Sequence, residues 1–101
     1  ERQASRRARR KSLFVMADAF VYILRCRDGS LYTGWTNDVA RRLAAHQAGT
    51  ASRYTASRRP VELALAMPMS DRRAALREEA RIKRLTRAQK LDLLARASLA
   101  A

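Results

Sequence analysis

Two apolar runs and the three residues between them constrain this chain more than any other stretch. Phe20 to Cys26 and Leu31 to Trp35 are rich in β-branched and aromatic residues, and each carries a tyrosine. Both read as strands. Arg27-Asp28-Gly29 suits a three-residue hairpin loop, with Gly29 in the left-handed conformation of a bulge. Closing the hairpin at Cys26 and Ser30 sets Tyr32 opposite Leu24 and Tyr22 opposite Gly34. Side chains alternate along a strand, so both tyrosines fall on one face of the sheet. A loop of two residues would put them on opposite faces. Gly34, facing Tyr22 with no side chain, is expected to leave room for a substrate backbone.

A helix follows the hairpin directly. Thr36 or Asn37 can cap it, and Asp38 suits its positive end. Val39, Arg42, Leu43 and His46 form one stripe at helical spacing. Two of these four are polar and bulky, where a core-facing stripe is normally apolar. Each has an ordinary structural explanation when taken singly. A tyrosine packs, an arginine lays its stem on apolar surface, and a single histidine satisfies a core.

Beyond this unit, residues 47–59 read as a loop in which Arg53, Tyr54, Arg58 and Arg59 alternate with hydroxyl residues. Cations, hydroxyls and an aromatic suit a phosphate backbone and a stacked base; an ordinary solvated loop with Tyr54 tucked inward is the alternative. Val61 to Met67 reads as a third strand, bounded by Pro60 and Pro68. Ser70 is placed to cap a second helix whose apolar positions are Ala75, Leu76, Ala80, Ile82 and Leu85. Glu79 adjoins that stripe and also stands four residues before Lys83, as an exposed ion pair would. Thr86-Arg87-Ala88-Gln89 is a capping box opening a third helix through Leu91, Leu93 and Leu94. The order β-β-α-β-α-α gives an α+β fold, a small three-stranded antiparallel sheet flanked by helices.

Charge supplies the strongest global signal. The 101 residues carry a net charge of +13, and 19 of the 22 cations are arginine. Arginine forks onto phosphate where lysine is a point charge, so the expected partner is a polyanion. Nucleic acid comes first, DNA ahead of RNA, with an anionic membrane surface behind them. No apolar run approaches the roughly 20 residues of a membrane span. The one cysteine, Cys26, allows neither an intrachain disulfide nor a cysteine zinc cluster and suits a reducing cytoplasm. Residues 1–15 are basic and lack an apolar face, which reads as disorder. Met16-Ala17-Asp18 resembles a start, making 1–15 an upstream extension; a nucleic-acid-binding arm is the functional alternative. Residues 16–101 then form one domain.

Taken together, the tyrosines and Arg42 resemble a family. Phe20-Val21-Tyr22 precedes Tyr32-Thr33-Gly34, and Arg42 follows on the helix, a spacing similar to that of the GIY-YIG nuclease domain. Phe20 and Val21 stand where that family has Gly and Ile, and Thr33 where it has Ile. The resemblance runs on through Tyr54-Thr55, Arg59-Pro60-Val61, Glu79, Ile82-Lys83 and Lys90, and is closest to small stand-alone bacterial members. It implies a metal-dependent endonuclease cutting DNA to 5′-phosphate and 3′-hydroxyl ends, structure-selective and linked to repair or recombination. Glu79 would hold Mg²⁺ or Mn²⁺ and Arg42 would clamp the scissile phosphate. Tyr22 would be the general base or relay, Tyr32 would orient water or phosphate, and His46 would accept a proton. Trp35 could stack on a base, or belong to the core. Many members carry an asparagine twelve residues after the glutamate; here Leu91 occupies that place, and any support from that amide is absent. A basic binding module with weak or partner-dependent cleavage is the alternative.

Overall fold

The computed structural model describes residues 17–100, so the basic segment 1–15 lies outside the described residues. The first strand, β1 (Ala19–Arg25), is buried at every position but its last. Six successive buried residues require cover on both faces and neighbours on both edges. β1 is accordingly the central strand, in the order β2-β1-β3. β2 (Leu31–Thr36) pairs with it antiparallel, with Tyr22 opposite Gly34 and Leu24 opposite Tyr32. The three-residue loop sets this register. Cys26 N–H donates to Ser30 O at 2.9 Å, Gly29 N–H to Cys26 O at 2.9 Å, and Gly29 has φ 85°. Asp28 Oδ1 reinforces the turn by accepting from Ser30 N–H at 3.0 Å.

β3 (Glu62–Met69) pairs antiparallel with the other side of β1 and carries a bulge opposite Ile23/Leu24. Pro68 does not end this strand, as expected from sequence, but lies within it opposite Phe20. An edge strand accommodates proline because the missing N–H can point away from the ladder.

The two faces of β1 enter different clusters. Val21 and Ile23 pack with Ala75 and Ile82 of α3 (Arg72–Lys83) and Leu94 of α4 (Arg87–Ala100). Tyr22 and Leu24 pack with Cys26 and Val61, with Tyr32 and Leu43 against them. Leu43 belongs to α1 (Val39–Ala48), so α1 covers the tyrosine face while α3 and α4 cover the other. Thr33, buried on the α3 side, has a hydroxyl with no partner among the described residues.

Local chemistry explains the helix starts. Asp38, rather than Thr36 or Asn37, caps α1 and accepts from Arg41 N–H at 3.0 Å. Thr36 Oγ1 instead accepts from Asp38 N–H at 3.1 Å. Asp71, rather than Ser70, caps α3, accepting from Ala74 N–H at 2.7 Å. The Thr86–Gln89 capping box forms in both directions, at 2.8 and 3.2 Å. The segment expected to be all loop contains a single helical turn, α2 (Arg53–Ala56), capped by Ser52.

Candidate active site

Tyr22 projects from the middle of β1 and lies across Gly34. A Cβ on Gly34 would stand 2.5 Å from Tyr22 Oη and 2.6 Å from Cζ. The space opposite Tyr22 is thus filled by its own phenol, and the expectation that it stays open for substrate is corrected. Gly34 serves to let the tyrosine lie down.

His46 sits one turn beyond Arg42 on α1 and is fully buried. Its Nε2 is 2.8 Å from Tyr22 Oη, and its Nδ1 is 2.8 Å from Thr55 Oγ1. Thr55 Oγ1 is in turn 2.8 Å from Ser52 Oγ. Four residues from β1, α1 and the start of α2 therefore form one continuous chain of hydrogen bonds.

Electrostatics orient that chain. Burial pushes the Tyr22 phenol up to about 12; Tyr32 and Glu79 push the same way, while Arg42 opposes them. Burial, followed by the Arg42 charge, holds His46 below the ordinary imidazole value. Near neutral pH the phenol is protonated and the imidazole neutral. Tyr22 O–H then donates to Nε2, which leaves the ring proton on Nδ1 to donate to Thr55 Oγ1. The Thr55 hydroxyl remains free to donate to Ser52.

Three more groups crowd this core. Tyr32 meets the His46 ring edge-on, with centroids 5.1 Å apart, and lies 6.5 Å from Tyr22. Arg42 is exposed, yet acts on both Tyr22 and His46. Glu79 comes from α3, which packs on the opposite face, and its charge nevertheless reaches the Tyr22 phenol. Its side chain is only 18% exposed and pairs with Lys83 Nζ at 3.5 Å. Of the five residues singled out as catalytic from sequence, Tyr22, Tyr32 and His46 stand together, and the charges of Arg42 and Glu79 act on the Tyr22 phenol.

The residues singled out as nucleic-acid contacts are more dispersed. Tyr54 is engaged within the protein, stacked on Tyr32 at 6.0 Å with Arg58 over its ring at 3.8 Å. Arg58 is also bound to Asp28 Oδ2 at 3.1 Å and to Tyr54 O at 2.9 Å. Arg59 donates to Ala56 O and Gln47 O. Arg53 stands exposed at the start of α2. Trp35 packs against the core cluster on the sheet face opposite Tyr22, with Arg72 5.4 Å from its ring. Thr55 and Ser52 complete the hydrogen-bond chain without being marked by the sequence as partners of His46. Their signal was present as Ser52-x-x-Thr55, the spacing of a hydroxyl cap, but nothing local says that the second hydroxyl turns to a histidine on another helix.

A family model of the GIY-YIG catalytic domain matches residues 18–92. The chain belongs to the GIY-YIG family. Its domain is 46% identical over 80 residues to a UPF0213 protein of Clostridium perfringens, covering 79% of this chain and 86% of that one. A UPF0213 protein of the archaeon Natronomonas pharaonis is 47% identical over 79 residues, covering 78% and 93%. The solution NMR structure of a UPF0213 protein from Bacillus halodurans matches with a TM-score of 0.52 at 40% identity, over 76% of this chain and 82% of that one. GIY-YIG domains are a nuclease family that acts on nucleic acid, and the hydrogen-bond chain around Tyr22 lies inside the matched region. Leu91, where many family members carry asparagine, is 39% exposed on α4. No helix among the described residues is long and apolar enough to cross a membrane.

The family also implies a divalent metal. Among the described residues no three histidine, cysteine or acidic side chains converge, so a cage of protein ligands is absent there. Glu79 offers one carboxylate, largely withdrawn from solvent, whose charge reaches the Tyr22 phenol. That donor set fits Mg²⁺ or Mn²⁺, because Mg²⁺ commonly takes one or two carboxylates and fills its remaining positions with water and substrate phosphate.

Proposed function

We propose that this GIY-YIG domain is a metal-dependent endonuclease that hydrolyses phosphodiester bonds in DNA. The observation that carries the reading is the unbroken Tyr22–His46–Thr55 chain with Arg42 and Glu79 acting on the same phenol. Phosphodiester hydrolysis needs a water positioned, its proton removed, and the growing charge on phosphorus countered. A phenol held at about 12 is a poor base by itself. It becomes a relay when its own proton can leave as it takes one from water. His46 Nε2, 2.8 Å away and neutral, is the acceptor, and Thr55 holds the resulting imidazolium through Nδ1.

His46 is fully buried, so it acts through Tyr22 rather than on water directly. Tyr22 itself is 2% exposed, which keeps bulk solvent away from the proton path. Arg42 meets the scissile phosphate with a fork and balances its extra charge. Tyr32, edge-on to His46, orients the water or a phosphate oxygen. Glu79 would hold the divalent ion, which when bound supplies Lewis-acid stabilisation of the phosphate and leaving oxygen. These groups handle protons and phosphate, which favours selection by strand geometry over base sequence. Such selectivity suits branched or damaged DNA in a bacterial cytoplasm, and with it a part in repair or recombination. RNA is the alternative substrate.

A second reading, a basic binding module with weak or partner-dependent cleavage, is favoured by the near-closure of Tyr22 and the Lys83 pairing of Glu79. Labelled flap, duplex and single-stranded DNA and RNA, each with Mg²⁺, Mn²⁺ or chelator, separate the two. Glu79→Gln keeps side-chain size and removes the charge that attracts the cation. Cleavage should fall to background while binding in chelator is kept. A salt bridge of this kind is worth only a few tenths of a kcal/mol, so a merely structural Glu79 predicts unchanged cleavage, and that result refutes the metal assignment.

A further inference from the structure

A polar cleft of about 390 Å³ opens beside the Tyr22 site, lined by Thr36, Asn37, Asp38, Arg41, Arg42, Ala45, Thr50 and Ala51. Arg42 belongs to both places, because it lines the cleft and also acts on the Tyr22 phenol. Arg41 is exposed, and among the described residues its guanidinium makes no hydrogen bond or ion pair. The contrast with Arg58 and Arg59, both occupied by protein carbonyls, leaves Arg41 as a cation available to a ligand.

Arg41 and Arg42 line one cleft from positions about 100° apart around the helix, an arrangement that suits two adjacent phosphates of one strand. A phosphate on Arg41 is then the neighbour of the one on Arg42. The remaining lining narrows the ligand class. Asp38 Oδ1 accepts from Arg41 N–H at 3.0 Å, which places a carboxylate in the cleft wall. That carboxylate repels a free phosphate dianion, but tolerates the single charge of a phosphodiester and can accept from a sugar hydroxyl or a base amino group. Asn37 adds an amide with both donor and acceptor atoms. Thr50 fixes one wall by donating to Ala45 O at 3.2 Å.

We propose that this cleft holds the nucleotide next to the scissile bond, with Arg41 on its phosphodiester while Arg42 holds the scissile one. The inference rests on the nuclease reading and adds to it a subsite of its own.

The test compares Arg41→Gln with Arg77→Gln in the full chain. Both variants remove one exposed arginine charge, the second from α3 on the opposite side of the sheet. Melting temperature should match the parent in each. With a labelled duplex, Arg41→Gln should raise KM, and the chelator-state Kd, by about tenfold or more, as loss of one charge-assisted contact implies. It should also lower the salt slope of binding by about 0.9 and leave kcat within about twofold. Arg77→Gln should do markedly less on every count. Equal effects from the two variants would mean that Arg41 contributes only diffuse charge, and would overturn the subsite. A fall in kcat with KM unchanged would place Arg41 at the scissile phosphate and overturn it as well. Should the parent not cleave, the nuclease reading fails, while the chelator-state comparison of Kd still decides whether Arg41 belongs to a nucleotide-binding cleft.

Discussion

Replacing Tyr22 with phenylalanine removes one oxygen and leaves the ring able to lie over Gly34 as before. Packing is therefore nearly conserved, and the loss concentrates on the 2.8 Å hydrogen bond to His46 Nε2. His46 is fully buried, so no solvent replaces the lost donor. An unsatisfied buried acceptor costs about 1–3 kcal/mol. At roughly 4–8 °C per kcal/mol for a domain of this size, the melting temperature should drop by about 5–20 °C. Turnover should fall by about 10²- to 10⁴-fold, the usual range for losing a general acid–base group. Thermal melts, single-turnover cleavage with Mg²⁺ and the same measurements on His46→Gln and the double variant form a cycle. If the two residues share one proton path, the double variant should lose little more activity than either single one. Parental cleavage by a folded Tyr22→Phe protein would refute the relay and leave the phenol a packing group. Strictly additive losses would refute the coupling between Tyr22 and His46.

Two further outcomes follow from the same geometry. Gly34→Ala places a methyl within 2.6 Å of the phenol, so the ring must swing off β2 and leave His46; cleavage should be lost and stability reduced by about 1–3 kcal/mol, which circular-dichroism melts would detect. His46 is held below the ordinary imidazole value, about 6.5, so the unfolded chain binds its proton first as pH falls. Its contribution to stability is therefore complete above that value and declines from about pH 6.5 down toward the lowered folded value; denaturant midpoints across this window should slope in the parent and flatten in His46→Gln.

The sequence alone determined the hairpin, its register and the placing of Tyr22 and Tyr32 on one face. Those features depend on strand alternation and on a loop whose length and glycine are local properties. The capping box at Thr86 and the helical stripe carrying Arg42 and His46 were legible for the same reason. What the sequence left open depended on contacts between distant segments. Whether Gly34 leaves a gap or a seat depends on the rotamer of a tyrosine on the neighbouring strand. Thr55 reads as one hydroxyl among several until α2 packs against α1 and brings it to His46 Nδ1. Tyr54 and Arg58 look like free nucleic-acid contacts until Tyr32 and Asp28 engage them. Glu79 has two readings in sequence, ion pair or site residue, and the fold supports both, because α3 pairs it with Lys83 while holding its charge within reach of Tyr22. Periodicity encodes which face a side chain takes, whereas its partners on that face are set by tertiary packing.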